Sequence, residues 1–164
     1  MTRVMLAALV LVMLHAPAWA ETPEEWIALG VRIHGGFGAF IPLGIKIGAD
    51  SLERLNLKPR EVAVLYHDTS DAPCACIADG IAIATQASVG QRSLVIAADP
   101  APSNLLGLAV IRPKQGGSGI KYRIPIEVLR KLAEMNRTLD PRGRYDAVMK
   151  DDGLFSVETL PGTR

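Results

Sequence analysis

The chain has 164 residues, 49% of them hydrophobic and 21% charged, and a formal net charge of +1. Its apolar content excludes a disordered chain, and its length suits one domain around one core. A near-neutral balance and only 5% aromatic residues argue against a nucleic-acid partner, which needs a basic surface or a stacking platform.

The first twenty residues read as a secretory signal peptide. Arg3 supplies positive charge, residues 4–14 are an apolar run, and Ala18-Trp19-Ala20 is a small-x-small cleavage site. The run is short for a bilayer span, and no Cys follows the cleavage point to carry a lipid, so no membrane anchor is expected. A periplasmic or secreted protein follows, with residues 21–164 as its folded domain.

Thr22, Pro23 and Glu25 predict a capped helix with Trp26, Leu29 and Ile33 on its apolar face and Gly35-Gly36 as its stop. A second helix over 38–55 buries Ile41, Ile45, Leu52 and Leu55, and Pro42 is tolerable only in its first turn. Gly44 and Gly48 leave a smooth strip where another backbone or a ligand can approach. Residues 61–67 read as a strand and 68–73 as a turn. A third helix over 74–87 points Ile77, Ile81 and Ala84 inward, with Gly90 as its cap. Strands follow at 93–98, 105–111 and 119–124. Pro125 opens a helix with Ile126, Leu129, Leu132 and Ala133 on its apolar side, and Asp140-Pro141 begins a short last one. Residues 154–160 add an edge strand, and the final four are expected to fray. This order gives a single α+β domain, a mixed sheet flanked by helices.

The reactive side chains are few. His34 ends the first helix, His67 ends a strand, and Cys74 and Cys76 open the third helix. Such junctions are where side chains on a rigid scaffold converge. A helix N-terminus favours a thiolate, lowering a thiol below its usual value of roughly 8.5. Two thiolates and two imidazoles suit zinc or another soft transition metal by ligand type. The C-x-C spacing departs from the commoner knuckle, so a disulfide or inert burial of the cysteines stays open. Gly35, Gly36 and Gly38 around His34 suggest crowding by backbone or ligand. The 115–119 loop (QGGSG) lacks the ending of a phosphate cradle, and no Ser sits in a nucleophile elbow.

Residues 34–48 (HGGFGAFIPLGIKIG) and 76–90 (CIADGIAIATQASVG) resemble two motifs of the FmdE-like domain family, known from formylmethanofuran dehydrogenase. The first is H-G-H-x-(C or G)-P and the second runs from C-x-x-D-G to T-G-C-T-x-G. The similarity covers roughly residues 30–135, and Leu154-Phe155 resembles a tail element of these domains. It implies an α+β fold of the kind grouped with the catalytic domain of glyceraldehyde-3-phosphate dehydrogenase. It also implies a metal, usually zinc, on the motif His and Cys residues. His34, Gly38 and Gly44 match the first motif, and Cys76, Asp79, Gly80, Thr85 and Gly90 the second. Gly36 stands where a second His is usual and Ala87 where a later Cys is usual.

Three functions follow as expectations. The leading one is an exported binding or accessory protein holding a metal or small ligand near His34, Cys74, Cys76 and His67, with Gly35, Gly36, Gly38 and Asp79 contacting the ligand. The second is a thiol-dependent enzyme or redox protein using Cys76 with a His base. The third is a structural subunit, including a homo-oligomer, whose apolar strands face a partner.

Overall fold

The Thr22 hydroxyl accepts the Glu25 amide while the Glu25 carboxylate takes the Thr22 amide at 2.6 Å, closing the capping box that starts α1 (Pro23–His34). A computed structural model of the chain describes residues 21–69 and 74–163, so the leader and residues 70–73 of the expected turn lie outside the described residues. Gly35, left-handed at φ 86°, ends α1 by donating its amide to the Val31 carbonyl. Helix α2 (Phe40–Leu55) carries Pro42 in its first turn, and its first half is buried on all sides from Phe40 to Ile45. It is a core helix rather than a striped one.

The sheet runs β2-β1-β3-β4-β5, with β1 (Val62–Asp68), β2 (Leu94–Ile96), β3 (Leu105–Pro113), β4 (Gly117–Pro125) and β5 (Ser156–Thr163). Only β1 and β2 are parallel, with Val64 opposite Leu94, and α3 (Cys76–Thr85) supplies the crossover that such a pair needs. The other pairings are antiparallel, with Leu65 opposite Val110 and Val110 opposite Lys121. Residues alternate as a pleat requires: Val62, Val64, Tyr66, Ile120, Tyr122 and Ile124 enter the core, while Leu65 and Val95 are exposed on the other face. Helices α4 (Val128–Thr138) and α5 (Pro141–Lys150) complete a single α+β domain with a mixed sheet. Among the described residues no helix is long and apolar enough to cross a membrane.

Several boundaries differ from expectation. Cys74 precedes α3, which starts at Cys76, and the left-handed Gln86 rather than Gly90 caps it. Pro125 is the last residue of β4, where its missing amide costs little, and α4 begins at Val128. That helix buries Val128, Leu132 and Met135, leaving Ala133 exposed. Ile33 is 54% exposed because the last turn of α1 projects beyond the core. Residues 161–163 do not fray: β5 continues through them, Thr163 pairs with Gly117, and the Arg112 guanidinium donates to the Pro161 carbonyl.

The smooth strip on α2 meets another helix. A Cβ on Gly44 would land on the Ile77 carbonyl and 2.8 Å from the Gly80 Cα, and one on Gly48 would come 2.7 Å from the Ala84 Cβ. The two backbones cross in direct contact, and this crossing sets where the first turn of α3 lies.

A candidate metal centre between two helix ends

His34 is the last residue of α1, and Cys76 the first of α3. The α1 C-terminus and the α3 N-terminus meet, and the ligating atoms of His34, Cys74 and Cys76 all lie within 4.8 Å of one another. His34 is half-buried, Cys76 is buried at 6% exposure, and Cys74 is the outer of the two cysteines. The cysteines are joined as a disulfide, and no free cysteine remains.

Asp79 completes the arrangement from behind. Its Oδ2 lies 2.7 Å from His34 Nδ1. An ionised carboxylate only accepts, so a neutral His34 carries its proton on Nδ1 and turns the Nε2 lone pair outward. That Nε2 is 3.9 Å from Cys74 Sγ. A carboxylate behind the imidazole is the usual way a metal-binding histidine is oriented. Each partner also suits its own helix: His34 sits at the negative end of α1 and Asp79 in the positive first turn of α3.

The scaffold explains why these side chains meet. Were Gly80 or Gly44 larger, α3 would stand off from α2 and carry Cys76 and Asp79 away from His34. The turn after His34 is held by residues far along the chain. The Ala39 amide donates to Asn136 Oδ1 at 2.7 Å, and the Arg144 guanidinium donates to the Phe37 and Asn136 carbonyls. Phe37 covers Gly30, where a Cβ would strike its ring. Asn136 and Arg144 carry no sequence signal for this role, because a polar residue on a helix surface looks the same whether or not it braces a loop.

Other expected site residues lie elsewhere or act differently. His67 is outside the cluster; its Nδ1 lies 3.1 Å from the Asp99 carbonyl oxygen. The crowding expected at the glycines is absent: a Cβ on Gly35 or Gly36 would meet nothing within 4 Å, and only Gly38 has a neighbour, Asn136 at 3.4 Å. Gly35 is required by its left-handed conformation instead. Asp79 touches His34 rather than open ligand space. Thr85 and Ala87 are buried at the far end of α3, roughly 15 Å along the axis from Cys76. A Cys at position 87 would therefore sit away from this cluster. Thr85 spends its hydroxyl on the Ile81 carbonyl. At the end of β1, burial pushes the Tyr66 phenol up, and it pushes the nearby Asp68 carboxyl up as well.

The donor set passes a chemical test for a metal. Two sulfurs and one imidazole match a soft or borderline ion such as zinc, and not magnesium or calcium, which take oxygen. Both sulfurs must be thiolates to bind it, because the thiolate is the ligand.

The model of the family described as "FmdE, Molybdenum formylmethanofuran dehydrogenase operon" matches residues 33–144, a stretch containing the whole cluster. A solved structure of an FmdE-like protein of tungsten formylmethanofuran dehydrogenase, from Syntrophus aciditrophicus, superposes with a TM-score of 0.60. The two are 13% identical, and the alignment covers 87% of this chain and 73% of that one, a likeness of fold. No curated protein matches the chain.

Proposed function

The chain belongs to the FmdE family, and from that membership we propose that it is an exported accessory protein, periplasmic or secreted, holding a soft transition metal on His34, Cys74 and Cys76. Zinc is the first choice by donor type. The observation that carries this reading is the convergence of three donor atoms within 4.8 Å, one of them oriented from behind by Asp79. Three protein ligands leave a position for a small molecule, and the bare Gly35-Gly36 turn leaves room beside it. When bound, the ion would supply an electrophilic centre for that molecule. His34 and the two cysteines would hold the ion, Asp79 would fix the imidazole tautomer, and Asn136 and Arg144 would keep the following turn in place.

Metal analysis of the reduced chain is the test. Wild type should bind one zinc ion per chain, and Cys76→Ser or His34→Ala should lose stoichiometric binding while keeping their circular dichroism. Unchanged stoichiometry in Cys76→Ser would overturn the ligand set. Export is tested separately: the natural gene product should be found outside the cytoplasm, with Glu21 as its first residue by mass spectrometry.

A thiol-dependent enzyme or redox protein is the second reading, favoured by the joined cysteines beside an imidazole. The geometry puts His34 next to Cys74, so Cys74 rather than the buried Cys76 would be the first sulfur to react.

A further inference from the structure

We infer that the Cys74–Cys76 bond is the gate of the metal site, so that thiol–disulfide exchange with a dithiol reductant decides whether the chain can take up an ion. This inference rests on the metal-binding reading and adds its regulation. The same two sulfurs serve both states: they are bonded to each other in the structure, and they are two of the three donors of the cluster. A disulfide sulfur is neutral and a poor ligand, whereas a thiolate is a strong one. The two states therefore exclude each other.

Reduction proceeds by two exchanges. A thiolate of the reductant attacks Cys74 Sγ, the outer sulfur, forming a mixed disulfide and breaking the Cys74–Cys76 bond. The electron pair leaves on Cys76. That sulfur belongs to the first residue of α3, whose N-cap is Ala75 with no side chain accepting the first-turn amides, so the positive helix end favours the departing thiolate. The second thiol of the reductant then attacks its own sulfur in the mixed disulfide. It releases Cys74 as a thiolate and leaves the reductant oxidised to its disulfide. Two electrons pass from the dithiol to the protein, and its two protons go to the new thiols or to solvent.

Little of the scaffold has to move. Cys74 lies before α3, so rotation about its Cα–Cβ bond repositions the sulfur without disturbing the helix. His34 is held by Asp79 through either state, which keeps the third donor in place. The reverse step requires a disulfide oxidant: it takes two electrons from the cysteines, closes the bond and expels the ion.

The experiment uses the chain from residue 21 onward, with Cd²⁺ as the probe because its thiolate complexes absorb in the ultraviolet. Thiol titration should give none in the oxidised protein and two after treatment with dithiothreitol. The reduced protein should bind one Cd²⁺ per chain, and the oxidised protein should bind it at least ~100-fold more weakly, having lost two of three ligands. Adding oxidised glutathione to the loaded protein should release the ion as the thiols disappear, and dithiothreitol should restore binding. Tight binding by the reduced chain and equally tight binding by the oxidised chain would overturn the gate while leaving the metal site standing. Failure of the fully reduced chain to bind would overturn the metal site itself. A single-thiol pair tests the order of attack. The lone Cys74 of Cys76→Ser should form a glutathione mixed disulfide about tenfold faster than the lone Cys76 of Cys74→Ser, and the opposite order would refute the route described.

Discussion

Helices α1 and α3 each join two dissimilar places. Near the α1 N-terminus and the α3 C-terminus, Trp26, Leu52, Leu57, Ala84 and Gln86 line a groove of about 550 Å³. At the other ends of the same helices, His34 and Cys76 stand in a cluster whose donor atoms span 4.8 Å. The groove has the size of a ligand site but presents mainly hydrocarbon, whereas the cluster is small and presents two sulfurs and an imidazole. Volume measures how much surface a ligand can bury; chemistry requires donors that converge on one point. The convergence comes from the helix ends, because a first and a last turn bring unpaired backbone charge as well as side chains.

The sharpest way to break this contrast is at the glycine crossing. Gly80→Ala places a Cβ against the Ile41 carbonyl and 2.8 Å from the Gly44 Cα, backbone against backbone. It should cost about 3 kcal/mol in denaturant unfolding, the upper range of overpacking. Folded Gly80→Ala should also bind metal more weakly, because α3 carries Cys76 and Asp79. Leu52→Ala in the groove should leave metal affinity unchanged. If both variants shifted affinity equally, the two ends would not be independent.

Asp79→Asn is the next largest. It keeps the shape and removes the charge behind His34, so metal affinity should fall roughly 10- to 100-fold, as when other carboxylates behind metal-binding histidines are lost. Calorimetric titration of the reduced protein checks this, and unaltered affinity would separate Asp79 from the site. At the opposite end, Thr22→Ala removes the α1 capping box and should lower stability by ~1 kcal/mol, with metal binding untouched.

The smallest effect is a pH dependence remote from both places. The Lys131 ammonium holds the Asp151 carboxyl below the usual carboxylate range. A carboxyl lowered in the folded state stabilises the fold above its unfolded value, and that contribution is lost as pH falls through the folded value. Lys131→Met should therefore flatten the acid side of the stability profile below the ordinary aspartate range while leaving neutral pH nearly unchanged. A profile identical to wild type would show that the ion pair contributes nothing.

Much of this arrangement is legible in the residues. The α1 cap, the first-turn Pro42, the alternation of β1 and β4, and the break after His34 depend on neighbours a few positions apart. Local rules describe such features well. The strip of Gly44 and Gly48 marks a close approach but not its partner, because nothing local names Gly80 as the opposing backbone. In sequence His67 is equivalent to His34: both end an element. Only the packing of α1 on α3 distinguishes them, since it brings His34 to the cysteines and leaves His67 beside Asp99. The bracing roles of Asn136 and Arg144 escape local rules for the same reason. Asn136 acts on Ala39 across 97 positions, and Arg144 on Phe37 across 107.

Sequence alone determined the elements, the α+β class, and the short inventory of groups able to bind a metal, because turns, caps and periodicity are encoded within one or two turns of chain. Tertiary structure decided which of those groups share a point in space. That outcome depends on two backbones touching at Gly44 and Gly80, and contact between distant segments follows from how the whole core fills its volume.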